Sequence, residues 1–367
     1  MKKFPLILSL ILIISLLAGC AGTPVVYYTN CTCPAGVHED TAVEDIPATI
    51  PSYGETPVLT EGALKTGLAI STSVKKSANA TAEAEGKADY DVTMVAVLVD
   101  DNNVIRGCVI DGIASSVNFD TTGAITSDLS VGPQTKNELG ENYGMVAWGG
   151  AKAEWDAQAQ ALADFAVGKT VEELRSGAVA ESGYAPEGSD LASQATIYLG
   201  GYVYAIEAAV ANAKHLGAQS GDVLKLATTT KIDSSKAADA ENAGNAQLDA
   251  DVVALTMNGD VITSCYLDSV QAKVAFDATG AVTSDVSAPV ATKNELGENY
   301  GMVAWGGAVA EWDAQAASFA AYVTGKTADE VMGINITEAT KPADADLAAT
   351  VTISVIGFMN LIAKAAK

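Results

Sequence analysis

Two threonines stand in matching settings. The strings DLASQAT at 190–196 and DLAATVT at 346–352 each place an aspartate six positions before a threonine, with small residues between. Apolar residues follow at helical spacing, Leu199, Val203, Ile206 and Val210 in one case and Val355, Met359, Ile362 and Ala366 in the other. The pattern predicts helices near 197–214 and toward 366, with Thr196 and Thr352 at their heads. Two chemistries fit. Asp and Thr favour helix starts, where a side-chain oxygen accepts from a free backbone N–H. A threonine hydroxyl at a helix N-terminus also suits a phosphate ester, because free N–H donors and the positive dipole end favour a phosphodiester. Covalent attachment agrees with a chain that holds only Arg106 and Arg175, since a tethered phosphate needs no bidentate arginine clamp.

The rest of the composition narrows the chemistry. The only histidines are His38 and His215, so neither a zinc cluster nor Ser/His/Asp catalysis is indicated, and no catalytic or metal-ligating residue is assigned. Net charge is −24, and −26 once Lys2 and Lys3 leave with a signal segment, a surface that repels nucleic acid and anionic lipid. Cys31 and Cys33 form a C-x-C too close for an easy mutual disulfide. Cys108 and Cys265 sit in matching strand-like runs, VIRGCVID and VITSCYLD, and read as small buried hydrophobes.

The elements that position the threonines are announced by a repeat. The seventeen residues TKNELGENYGMVAWGGA occur at 135–151 and, letter for letter, at 292–308. The match extends outward through VNFDTTGAITSD and VAFDATGAVTSD, AEWDAQA, and GKT, with an offset of 157 that drifts near the ends, where Leu64-Lys65 pairs with Leu224-Lys225. This gives two copies of one domain, 62–214 and 218–366, a tandem duplication and not a solenoid. Within a copy strands come first. VTMVAVLVD reads as a buried strand, NVIRGCVID and ASSVNFD follow it, and FDTTGAIT carries a glycine turn, together an antiparallel meander. The period then turns helical, with Trp155, Ala159, Leu162 and Ala166 matched by Trp312, Ala316, Phe319 and Val323. Strands grouped before helices predict an α+β fold.

The beginning of the chain reads as a secretory signal over 1–19, with Leu17-Ala18-Gly19-Cys20 matching a lipobox. Cys20 is then the lipidated first residue, and 20–61, rich in Thr, Pro, Gly and acidic residues, is a flexible stalk. This places the protein on the outer face of the cytoplasmic membrane, held by lipid.

The motif D-x-x-S-Q-A-T resembles the D-x-x-S-G-A-T of flavin mononucleotide-binding domains, in which a transferase esterifies the threonine with the phosphate of FMN, as in the C subunit of the sodium-pumping NADH–quinone reductase. Gln194 replaces the glycine, and the second copy reads Ala349-Thr350-Val351-Thr352. Lipobox, acidic stalk, two copies beginning near LKTGLA, TKNELGENYGM, EWDAQA and GKT together resemble the doubly flavinylated lipoproteins of Gram-positive flavin-based extracellular electron transfer, over essentially the whole mature chain. The resemblance implies covalent FMN on Thr196 and Thr352, with Asp190, Asp346 and Ser193 as motif residues for the flavin transferase. It implies electrons arriving from a membrane quinone or NADH dehydrogenase system and leaving to extracellular acceptors. Such a protein is a redox carrier more than a turnover enzyme.

The repeated run then has two readings. Tyr143, Met145 and Trp148, with Tyr300, Met302 and Trp305, give flat apolar surfaces among glycines and would lie against the flavin ring. Alternatively the run is a core-forming turn. A non-redox ligand-binding or surface-interaction lipoprotein, with the threonines as helix caps, is the competing function.

Overall fold

A computed structural model describes residues 62–367; Cys20, the signal segment and the stalk lie outside the described residues. The strands are β1 (Lys65–Ser73), β2 (Gly86–Val99), β3 (Ile105–Phe119), β4 (Val223–Lys231), β5 (Gly244–Asn258) and β6 (Val261–Phe276). The helices of the first half are α1 (Lys136–Leu139), α2 (Trp155–Ala166), α3 (Val171–Ala178), α4 (Asp190–Gln194) and α5 (Gly200–Ala211). Those of the second half are α6 (Lys293–Leu296), α7 (Met302–Gly306), α8 (Trp312–Val323), α9 (Ala328–Met332), α10 (Ala345–Ala348) and α11 (Ile356–Ala365). The mixed α+β class expected from the sequence is what the chain adopts, with two separate three-stranded antiparallel sheets, β1-β2-β3 and β4-β5-β6.

Side-chain alternation explains the layering. In β2, Ala88, Tyr90, Val92, Met94 and Ala96 point into an interior shared with Ala246, Leu248, Ala250, Val252 and Ala254 of β5. The two sheets therefore pack face to face, and Phe119 stacks on Phe276 across them at 4.0 Å between ring centroids. Each such buried aromatic stabilises the interface by about 2–3 kcal/mol. The opposite face of the first sheet, with Val95, Val97 and Val99, is covered by α2 and α5, and that of the second, with Val253 and Leu255, by α8 and α11. The order of layers is helix, sheet, sheet, helix, and all the described residues fall within one compact unit.

Three details depart from the sequence reading. NVIRGCVID and ASSVNFD are one unbroken strand, β3, because β2 pairs with it from Gly86 to Val99. A first strand, β1, precedes those expected, and residues 214–218 run along its free edge through Thr66 N–H to Lys214 O (2.8 Å) and Leu64 N–H to Ala218 O (2.9 Å). Sheet register also sets Ala69 against Ala227, since Ala69 pairs with Val95 and Ala227 with Val253, both facing helices. The Leu64-Lys65 match to Leu224-Lys225 is thus displaced by two residues, which preserves the buried face.

Candidate functional site

The repeated TKNEL segment is anchored before anything is built on it. Thr135 and Glu138 form a capping box on α1, as Thr292 and Glu295 do on α6. A buried carboxylate on the adjacent strand grips each turn. Asp111 Oδ1 accepts from Asn137 N–H at 3.1 Å, and Asp268 Oδ1 from Asn294 N–H at 3.1 Å. Burial pushes both carboxyls up, Asp268 to about 6, against the lowering pull of these hydrogen bonds. The GMV backbone that follows is held from α2 and α8. Glu154 accepts from Met145 and Val146 N–H at 2.8 and 2.9 Å, and Glu311 from Met302 and Val303 N–H at 2.8 and 3.0 Å.

This frame lays Tyr143 and Met145 against the cluster around Trp155, which Ile197 and Tyr202 also join. Tyr300 and Met302 lie likewise with Ile353 on the cluster around Trp312. Four of the six aromatic and methionine positions expected at a flavin are thus packed on the same clusters as Ile197 and Ile353, the residues that follow the threonines. Trp148 and Trp305 are not. They are 91% and 90% exposed, each folded back over the glycine four residues earlier, and belong to neither cluster. The run is therefore partly a core-forming turn, and its tryptophans are presented to solvent.

The threonines are held differently from the helix-head expectation. Thr196 lies four residues before α5 and Thr352 four residues before α11. Neither caps a helix: α4 is capped by Ser189, α10 by Asp344, and α5 and α11 have no side-chain cap. The helix starts late because Leu199 and Gly200 N–H both turn to Gly183 O, at 2.8 and 3.0 Å. The dipole argument for a phosphate at Thr196 falls with the helix position. In its place a buried glutamine does the holding. Gln158 Oε1 accepts from Thr196 N–H (2.7 Å), Thr196 Oγ1 (3.1 Å) and Ile197 N–H (3.1 Å), while its Nε2 donates to Ala153 O (2.8 Å). Gln315 repeats this with Thr352 N–H (2.7 Å), Thr352 Oγ1 (3.2 Å) and Ala310 O (2.7 Å). Thr196 is exposed and Thr352 half-buried. Asp190 and Asp346 are exposed, and Ser193 Oγ donates to Asp190 O at 2.7 Å.

The glutamines were absent from the sequence reading, as were two lysines. Gln158 sits three residues after Trp155, on the buried face of the stripe and inside the repeated AEWDAQA, and those two signs together could have found it. Lys136 is 5% exposed, with Nζ 5.0 Å from the Trp155 ring centre and 5.7 Å from that of Tyr143. Lys293 stands 4.9 Å from Trp312 and 5.3 Å from Tyr300. Burial pushes the Lys136 ammonium down, with Asp91 at 3.7 Å opposing.

Comparison with protein-family models, curated proteins and solved structures returned no match. The site is therefore read from its own geometry, and its two versions differ. Trp155 Nε1 donates to Tyr202 OH at 2.9 Å, whereas Trp312 meets Phe358 edge-on at 5.7 Å. Beside Tyr143 a recess of about 330 Å³ opens over Ala114, bordered by Lys76, Asp91 and Lys136. In the second half Gln271 fills that place, donating to Asp249 Oδ1 (3.0 Å) and accepting from Tyr300 OH (3.2 Å). Cys108 and Cys265 are free and buried on β3 and β6, and burial pushes the Cys108 thiol up to about 12. Among the described residues no helix is long and apolar enough to cross a membrane.

Proposed function

We propose that the chain is a cell-surface electron carrier, a tandem duplication of an FMN-binding-like domain, with FMN esterified to Thr196 and Thr352. The observation that carries this reading is the shared setting of the two hydroxyls. Neither caps a helix, each is tied to a buried glutamine, and a tyrosine and a methionine pack on the cluster that the next residue joins. FMN bound there supplies one- and two-electron redox chemistry.

The residues present fit the group. Gln158 and Gln315 keep their hold through backbone N–H donors after the hydroxyl proton is gone, so esterification leaves each turn pinned. Tyr143 with Met145, and Tyr300 with Met302, offer half-buried apolar surface to a planar ring. Lys136 and Lys293 supply positive charge against a phosphate or a reduced ring in an otherwise acidic protein. Asp190, Asp346 and Ser193 are exposed where a flavin transferase would read them. A membrane quinone or NADH dehydrogenase system is the proposed donor, with extracellular acceptors beyond. Lipid on Cys20 is the proposed anchor at the outer membrane face.

The test is visible absorbance and mass of Thr196→Ala, Thr352→Ala and the double variant, each produced with the transferase. Each single variant loses one FMN less one water, and the double variant is colourless with an unchanged far-ultraviolet circular dichroism spectrum. A double variant that stays yellow overturns the assignment. A wild type that never takes flavin turns the reading to the non-redox binding lipoprotein.

A further inference from the structure

A cavity of about 1000 Å³ lies between the halves, and neither threonine lines it. Its walls are Ala69 and Ile70 of β1, residues 211–217 after α5, and the α6 and α8 side of the second half. Ala314, Ala317 and Ala321 of α8 give it an apolar floor, and Glu295, Asp313 and Asp268 put carboxylates at its edge. Its size and makeup are those of a small-molecule site.

What belongs there is shown by the matching place in the other half. Helix α11 corresponds to α5 with Val355 at Leu199, Met359 at Val203 and Ile362 at Ile206, so Lys364 corresponds to Ala208. The sheet register sets Thr228 against Ile70, and the repeat sets Glu138 against Glu295. At the matching place Lys364, from α11 of the second half, reaches Glu138 of the first. Its ammonium donates to Thr228 O at 2.6 Å and pairs with Glu138 Oε1. Gln160 and Asp164 stand there at the positions of Ala317 and Ala321, leaving less room. The second-half groove has the carboxylate of Glu295 and the Ile70 position on the β1 edge, but alanine where the lysine would come from. Carbonyls on that edge face out of the sheet, since Leu68 O accepts from Asn212 Nδ2 at 3.1 Å and Ile70 is two residues on.

We propose that this groove binds an organic monoammonium ion with an apolar body, its charge on Glu295 and its chain along the α8 alanines. The two basic side chains that line the groove have partners, and Tyr266, the partner of Lys214, lines it as well. Lys214 lies over the Tyr266 ring at 5.2 Å, and His215 Nε2 meets Asp101 Oδ1 at 3.0 Å. Asp268 holds its own backbone donors, which leaves Glu295 Oε1 and Asp313 to meet the ligand. A chain of net charge −24 adds a long-range preference for cations. The site is independent of the flavin reading.

The experiment is calorimetric titration of the full chain with n-hexylammonium, n-hexanol and hexanoate. One saturable site is expected for n-hexylammonium, at least tenfold tighter than n-hexanol, with none for hexanoate. Glu295→Gln keeps the capping box, because glutamine serves that position as well, and lowers n-hexylammonium affinity tenfold or more. Ala208→Lys gives the groove its own ammonium and abolishes binding. Glu295→Gln carries the test if Ala208→Lys does not fold. Equal affinity for n-hexanol, unchanged affinity in Glu295→Gln, or no binding by wild type overturns the proposal.

Discussion

Thr196 and Thr352 sit in the same frame, yet the first is exposed and the second half-buried. At Thr196 the wall is a tyrosine pair, Tyr184 against Tyr198 at 5.6 Å, with Tyr198 lying over Gly183. At Thr352 the matching places are Lys341, Ser354 and Thr340, and Thr340 Oγ1 meets Ser354 Oγ at 2.6 Å. Gln158 holds three donors at the first threonine and Gln315 two at the second. Ala114 leaves a recess where Gln271 fills one. Buried Thr350 and Val351 stiffen the approach to Thr352 further. The repeated sequence keeps the anchoring of the two turns while their surroundings differ, so the proposed modification is expected to be more complete at Thr196.

The sharpest way to break this comparison is at the glutamines. Gln158→Leu leaves the N–H groups of Thr196 and Ile197 without their acceptor and destabilises by about 3 kcal/mol. Gln315→Leu strands one N–H and costs about 2 kcal/mol. Urea unfolding of the two variants measures the difference, and equal losses would remove the inequality argued from donor count.

The carboxyl under the second turn gives a pH test. Asp268 is raised to about 6 in the folded chain from an ordinary value of 3.8. Its contribution is fully present below the unfolded value and is lost as pH rises through 6, an effect of about 3 kcal/mol. Asp268→Asn keeps an acceptor for Ser269 and Asn294 N–H and removes that slope. Urea midpoints of both proteins between pH 4 and 7 should converge toward acid and separate toward neutrality, with wild type the weaker.

Backbone strain separates the walls. Gly183 has φ +81°, and a Cβ there would meet the Tyr198 ring at 2.1 Å, so Gly183→Ala costs about 1–2 kcal/mol. Thr340 takes the same turn with φ +58° although it is β-branched, and Thr340→Gly stabilises by up to about 1 kcal/mol. Thermal denaturation reads both signs. The smallest effect is at the tryptophans. Tyr202→Phe removes the partner of Trp155 Nε1 and costs about 1 kcal/mol, making the first half resemble the second.

Legibility followed distance along the chain. The helix Trp155–Ala166 was readable because its stripe is local, and so was the strands-then-helices order. The positions of Thr196 and Thr352 relative to their helices were not. Gln158 is 38 residues from Thr196 in the chain, and Gly183 O intercepts the N–H groups that would have begun the helix earlier. The apolar stripe continued past the true helix start because Ile197 packs on the same cluster from a turn. Trp148 and Trp305, expected against a flavin ring, are exposed. Their loops are held by Glu154 and Glu311, which accept from the N–H groups of Met145, Val146, Met302 and Val303.

The central claim is that both hydroxyls carry FMN through a phosphoester. Its most direct measurement is peptide mass analysis of wild-type protein made with a flavin transferase. The account predicts FMN less one water on the peptide containing Thr196, in full, and on the peptide containing Thr352, in part. Unmodified peptides at both positions, or flavin attached to any other residue, would contradict it.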